Sequence, residues 1–235
     1  MTCITDHIGN TPLLRLRSLE HGAAEVYAKA EWFNPSGSVK DRPAWSIVRE
    51  AIQSGALRPG MTIVDSSSGN AGISYAMIGA ALGYPVTIYM SASASEERKR
   101  IIRGYGASIV LTDPERGSDG AYQVAQSLAE DDDWIFYANQ YANPANWRAH
   151  AETTGPEIWR QTKGRVTHVV AGVGTGGTVR GIVTALQARN PQIASVGVIP
   201  ADEKHQLPGL RHLPTAMAPA IWHGRYADAL QLVSD

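Results

Sequence analysis

The sequence predicts an α/β protein of two domains built on mostly parallel, helix-covered sheets, and three observations predict it. Short apolar runs alternate with helical stretches along most of the chain, the pattern expected of parallel strands buried on both faces. The 235 residues fit one large domain or two small ones, and a chain of that length buries roughly 70% of its unfolded surface without staples. The composition is 43% hydrophobic and 18% charged, against a usual charged share of about 25%, which argues against disorder.

In order along the chain, Val26–Glu31 is expected as a strand and Arg42–Ser54 as a helix closed by Gly55. Thr62–Asp65 reads as a strand and Ala71–Leu82 as an apolar helix, followed by strand Val86–Met90. Ser95–Tyr105 reads as a helix stopped at Gly104-Tyr105-Gly106, then come strand Ser108–Leu111 and helix Gly120–Asp131. The acidic run Glu130–Asp133 is expected as a solvated helix end. Ala145–Gln161 looks helical with a kink or break at Pro156. Strand His168–Ala171, helix Gly177–Arg189 and strand Ser195–Ile199 complete the alternation, and His205–Pro219 reads as loop. Trp32 and Trp45 are expected in the core; Tyr141 and Trp147 could line the pocket, with packing the default.

Composition also narrows the function. A formal net charge of -1, from 21 basic and 22 acidic residues, leaves no cationic excess for a phosphate backbone, so no nucleic-acid partner is expected. Cys3 is the only cysteine, which leaves no disulfide framework and fits a reducing cytoplasm. No histidine spacing suggests a metal site. Ser66–Ser95 carries no charge and no histidine, yet Gly69, Gly72, Gly79, Gly83 and Pro85 interrupt it. Its most apolar part, Ile73–Leu82, is too short for about 30 Å of hydrocarbon, so no membrane association is expected. Met1–Asp6 has neither the basic region nor the apolar core of a signal peptide.

In open parallel sheets, ligands collect where strand C-termini meet helix N-termini, and three such turns carry chemistry. In Asn34-Pro35-Ser36-Gly37-Ser38-Val39-Lys40-Asp41-Arg42-Pro43, Asp41 suits a cap and Pro43 an early helical position. Lys40 then meets the positive end of a helix dipole, which disfavours its ammonium. It reads either as a solvated lysine or as a neutral amine for a Schiff base. Gly37 and the small serines let a flat ligand approach. Asp65-Ser66-Ser67-Ser68-Gly69-Asn70-Ala71-Gly72 offers clustered hydroxyls and amides to a carboxylate or phosphate, more than an ordinary cap needs. Gly172-Val173-Gly174-Thr175-Gly176-Gly177-Thr178 is a further anion cradle. It satisfies the dinucleotide fingerprint literally, but the first acidic residue after the next strand is Asp202, past Pro200, so a phosphate monoester fits better. One lysine, a carboxylate-sized cradle and a phosphate cradle together suggest pyridoxal phosphate and an amino acid.

At these residues the sequence resembles the cysteine synthase and cystathionine β-synthase family of fold-type II pyridoxal-phosphate enzymes. Ile8-Gly9-Asn10-Thr11-Pro12-Leu13 is similar to the family's opening motif, Asn34–Arg42 to its lysine motif, Ser67–Gly72 to its substrate loop, and Gly174–Thr178 to its phosphate loop. Gln140-Tyr141-Ala142-Asn143-Pro144-Ala145-Asn146 resembles a further family segment, and the motifs occur in family order. The resemblance implies a tryptophan synthase β-like fold. Residues 1–12 and 35–144 would form a smaller, mobile substrate-binding domain, and residues 13–34 and 145–235 a larger one that binds the cofactor phosphate.

It implies roles as well. Lys40 would carry the internal aldimine and act as the catalytic base. Asn70 would meet the cofactor ring hydroxyl, and Gly174, Thr175, Gly176, Gly177 and Thr178 would hold its phosphate. Ser67, Ser68, Gly69, Asn70, Ala71 and Gln140 would take the substrate carboxylate. Pro208-Gly209-Leu210-Arg211-His212-Leu213-Pro214 resembles the cysteine synthase B-type branch, in which an arginine at the Arg211 position reads an anionic group; a solvated loop arginine is the alternative. The implied activity is β-replacement on O-acetylserine or O-phosphoserine by sulfide or another sulfur donor, through an aminoacrylate, giving L-cysteine in a cytoplasmic homodimer. Diaminopropionate synthesis, serine or threonine dehydration, and a non-catalytic regulatory homologue are the alternatives. Ala71 stands where the family usually has Thr, which removes one hydroxyl from the carboxylate site. The family also continues beyond the position of Asp235, with a hydroxyl-bearing segment that meets the pyridine nitrogen.

Overall fold

The structure is a computed structural model that describes residues 2–130 and 132–235. Asp131, which falls in the expected helix Gly120–Asp131 and in the acidic run, lies outside the described residues. The architecture is α/β, with parallel sheets flanked by helices, as the alternation predicts.

Two short strands, β1 (Leu13–Arg15) and β2 (Tyr27–Lys29), pair antiparallel. The strand expected over Val26–Glu31 is thus shorter. Ala30 donates its amide to Pro12, and Glu31–Phe33 turns away as a single 3-10 turn. Helix α1 (Asp41–Ser54) follows, with Ala44, Ile47, Val48 and Ala51 buried at helical spacing. It ends at Gly55 in the left-handed conformation, φ 76°, which glycine adopts without a Cβ penalty.

The next segment alternates as expected through β3 (Thr62–Ser66), α2 (Asn70–Leu82), β4 (Val86–Ser91), α3 (Glu96–Gly104), β5 (Ser108–Thr112) and α4 (Gly117–Glu130), and adds a strand the sequence did not predict, β6 (Ile135–Tyr137). The strands form one parallel sheet in the order β5-β4-β3-β6. Helix α2 is buried from Ala71 to Gly79, which explains its lack of a polar face. A Cβ on Gly79 would lie 2.2 Å from Val86 Cγ2, so this glycine lets the helix rest on the sheet. Ile47, Ile63, Tyr75, Met77, Ile88 and Ile102 lie in the main core. Trp45 packs against that core, whereas Trp32 is 59% exposed and stands outside it, contrary to expectation.

The helical run from Ala145 divides into α5 (Ala145–Ala149), a π turn over His150–Thr154, and α6 (Gly155–Gln161). Pro156 lies in the first turn of α6 and does not break the run. A proline ring crowds the carbonyl four residues back, and the wider π turn relieves that crowding. A second parallel sheet, ordered β7-β8-β9, joins β7 (His168–Gly172), β8 (Ala194–Pro200) and β9 (Ala229–Val233), with α7 (Gly177–Gln187) between the first two. Among the described residues no helix is long and apolar enough to cross a membrane.

A buried ionic knot ties these parts together. Arg42 donates from Nε to Glu31 at 2.7 Å, from Nη1 to Glu157 at 2.7 Å and from Nη2 to Glu157 at 2.8 Å. Lys29 Nζ also reaches Glu157, at 2.7 Å, and the Arg42 and Glu157 side chains are 1% and 8% exposed. The Asn10 amide donates to Glu157, and the Gly9 amide donates to Asn34, whose Nδ2 donates to Glu31. Burial opposes the Glu157 charge, but the bonds from Arg42 and Lys29 prevail and hold its carboxyl down to about 2. Because this pKa is depressed on folding, the stability it contributes is present above the unfolded carboxyl range and is lost as pH falls towards about 2. Glu157→Gln removes the ionic partner of Lys29 and one of the two carboxylates on Arg42 and is expected to cost about 3 kcal/mol, measured by urea unfolding at pH 7. The gap between variant and wild type should narrow at pH 3.

Candidate active site

Between the two parallel sheets lies a cavity of about 410 Å³. It brings together Lys40, Ser67, Ser68, Gly69, Asn70, Ala71, Gln140, Gly174, Thr175 and Arg211. Gly176, Gly177 and Thr178 do not line it; they form the start of α7 just behind.

Lys40 occupies the N-cap position of α1, at the positive end of the helix dipole. Asp41 does not cap its own helix. Its carboxylate accepts the Ser36 amide at 2.7 Å and the Ser74 hydroxyl at 2.6 Å, which fastens the loop before Lys40 to α2. Among the described residues Lys40 Nζ has no ionic partner, and burial alone lowers its pKa. The side chain is half-buried and meets the cavity, so the amine gives up its proton more readily than a solvated lysine and is reachable.

The loop after β3 is braced from within. Ser67 Oγ accepts the amides of Gly69 and Gly72 at 3.1 and 3.0 Å, leaving its proton free to donate. Ser68 and Asn70 are exposed towards the cavity. No protein acceptor meets the amides of Ser68, Asn70 and Ala71 among the described residues. These amides stand at the positive end of a 13-residue helix, a site suited to a carboxylate. Ala71 offers only its backbone. Gln140 donates from Nε2 to the Ser66 carbonyl at 2.9 Å, so its amide nitrogen braces the loop while Oε1 remains available.

The loop after β7 is packed against its neighbours at every glycine. A Cβ on Gly174 would lie 2.4 Å from the Gly209 carbonyl, one on Gly176 2.4 Å from Trp222, and one on Gly177 2.0 Å from Asn146 Oδ1. The amides of Gly174, Thr175 and Gly176 meet no protein acceptor among the described residues, which makes an anion cradle. Asn146 joins the two loops, donating to the Gln140 carbonyl at 2.7 Å and to Thr175 Oγ1 at 3.2 Å. A desolvated, unpaired amine facing unpaired amides fits pyridoxal 5'-phosphate, with aldehyde at Lys40 and phosphate at the glycine loop.

The structure decides several readings left open by the sequence and adds residues that it did not single out. Tyr141 lines the cavity, beneath the Arg211 guanidinium at 5.0 Å; Trp147 instead stacks on Arg180 at 4.2 Å. His205 and His212 also line the cavity. Arg211 is paired with Asp119 and is no solvated loop arginine. His150 is buried in the π turn, between Thr154 Oγ1 at 2.9 Å and Thr178 Oγ1 at 3.3 Å. Burial, with the charges of Arg42 and Lys40, holds its pKa well below the ordinary value. A helical histidine carries no sequence signal of such a contact. Asp65, at the end of β3, accepts the Ser66 amide at 2.8 Å.

Comparison with known proteins followed the same line. The family model described as "Pyridoxal-phosphate dependent enzyme" matches residues 4–232. A cysteine synthase of Aquifex aeolicus is 47% identical over 94% of this chain and 69% of its own length. Cysteine synthase B of Salmonella typhimurium is 40% identical over 97% of this chain and 75% of its own length. Among solved structures, an O-ureido-L-serine synthase superposes with a TM-score of 0.93 at 38% identity, covering 100% of this chain and 76% of that one.

Burial pushes the Asp65 carboxyl up to about 7, against the opposing bonds from Ser66, Tyr75 and Gln140. The folded protein therefore holds this proton where the unfolded chain has lost it, and stability falls as pH rises from about 4 towards 7. Asp65→Asn removes this dependence. Thermal unfolding of the cofactor-free protein at pH 5 and pH 8 is expected to show a wild-type decline that the variant lessens by about 2–4 °C or more.

Proposed function

The chain belongs to the pyridoxal-phosphate dependent enzyme family, and we propose that it is a cysteine synthase-like enzyme catalysing β-replacement on an activated serine. The observation that carries this proposal is the Lys40 amine, buried without an ionic partner among the described residues, in one cavity with two amide cradles of different loops. The relatives named cysteine synthase support it.

Lys40 Nζ is the amine that would hold the cofactor's aldehyde carbon. The amides of Gly174, Thr175 and Gly176, with the Thr178 hydroxyl and the start of α7, would take its phosphate, and Asn70 its ring hydroxyl. When bound, the pyridoxal ring supplies an electron sink for charge left on the substrate's α-carbon. Ser68, Asn70 and Ala71 would bind the substrate carboxylate through the helix-end amides, with Ser67 and Gln140 holding that loop in shape. Lys40 Nζ, released by the substrate's amino group, would take the α-proton as general base and return a proton when the product forms. Arg211 faces the β-substituent end of the cavity, where acetate or phosphate leaves and sulfide or another sulfur donor adds.

We extend the proposal to a moving unit, residues 1–12 and 35–144, that closes on the carboxylate against residues 13–34 and 145–235. The cavity lies between the sheets of these two parts, and closure would exclude water. We also propose a cytoplasmic homodimer; the exposed Trp32 and Phe33, with ring centroids 6.1 Å apart, offer apolar surface for such a contact.

Incubation with pyridoxal phosphate and then borohydride is expected to label one peptide, the one containing Lys40, and Lys40→Ala should abolish the label. The loaded enzyme should convert O-acetylserine and sulfide to cysteine. Release of pyruvate alone, with no cysteine at saturating sulfide, would replace β-replacement with elimination.

A further inference from the structure

At the outer end of the cavity, a strap crosses from α4 to the loop after β8. Arg211 is anchored through its backbone amide, which donates to the Val173 carbonyl at 2.9 Å. Its side chain is only 9% exposed and pairs through Nη2 with Asp119, in the first turn of α4. The second Asp119 oxygen accepts the Met217 amide at 3.1 Å. The Tyr141 ring lies under the guanidinium, and Arg211 Nε is buried without a hydrogen-bond partner among the described residues.

We propose that Asp119 is a specificity-determining residue: its carboxylate occupies Arg211 and reserves this end of the cavity for an uncharged β-substituent, against a phosphoryl group. The inference rests on the proposed β-replacement on an activated serine. A buried guanidinium needs a counter-charge, and Asp119 supplies it before any substrate arrives. An acetyl ester leaves the pair intact. A phosphoryl ester brings close to two negative charges and must either displace the carboxylate from Arg211 or sit beside it, where the like charges repel. The remaining charged groups at the mouth, Arg98 and Arg116 against Glu115 and Glu203, balance in sign. The charge state of the Asp119–Arg211 pair therefore decides which substituent is favoured.

Asp119→Asn keeps an acceptor for the Met217 amide and removes the charge. In the pyridoxal-phosphate-loaded enzyme, where the glycine cradle is filled, calorimetric titration with inorganic phosphate is expected to show at least tenfold tighter binding to Asp119→Asn than to wild type. The gain should vanish in Asp119→Asn/Arg211→Gln. Asp119→Ala, which lacks the amide's hydrogen bonds, should move affinity in the same direction. In parallel, the ratio of kcat/KM for O-phosphoserine over O-acetylserine should rise at least tenfold in Asp119→Asn. Equal phosphate affinity in wild type and both single variants would overturn the inference, as would a gain that survives loss of Arg211. A wild type that turns over neither ester would refute the β-replacement proposal instead, while the phosphate titration still decides the role of Asp119.

Discussion

The structure depends on how it neutralises one guanidinium. Arg42 is shut away from water in the first turn of α1, and a charge so placed survives only with carboxylates on more than one side. Glu31 comes from the turn after β2 and Glu157 from α6, so the arginine cannot be satisfied until three separate parts of the chain have met. Lys29 and the amides near Asn10 complete the shell. The cost of assembling four charges falls on a place two residues from Lys40. The helix start that presents the amine is thereby held from behind, while the amine itself is left without a partner.

The contrast between those two neighbours explains the chemistry. Arg42 has every donor directed at an oxygen, and its charge is permanent. Lys40 has burial without compensation, and its charge is disfavoured. The cavity places this amine with helix-end amides rather than with carboxylates. Amide dipoles bind anions without titrating, so the cradles keep their character across the pH range in which the amine changes state. Negative charge from a ligand is met by fixed dipoles at two points and by a side-chain cation only at the third, Arg211. Even there the cation arrives already matched.

Much of the fold was legible because its strands are short apolar runs and its helices are bounded by glycine. Helix α1 closing at Gly55 and the alternation from β3 to β5 follow directly from that punctuation. Strands β6 and β9 were not legible. Ile135–Tyr137 is too brief for a period, and Ala229–Val233 leaves most of its side chains exposed, so burial imposes no alternation on it. Trp32 was misplaced for a related reason, since residue type alone does not say which tryptophan finds a neighbour. In the site, the loops announced themselves through clusters of glycine, serine and threonine. Asp119, Asp65 and His150 did not, because each matters through a partner far away in sequence, and no local pattern records that partner.

Asn146 and Gly177 show what such tight meeting of loops entails over generations. With Asn146 where it is, any side chain at position 177 would collide with its amide oxygen at 2.0 Å, and that same amide bridges Gln140 to Thr175. A side chain at position 177 therefore requires Asn146 to give way, and a residue at 146 without that amide loses the bridge. Descendants that drift freely on their surfaces are expected to carry this pair together or to replace it together.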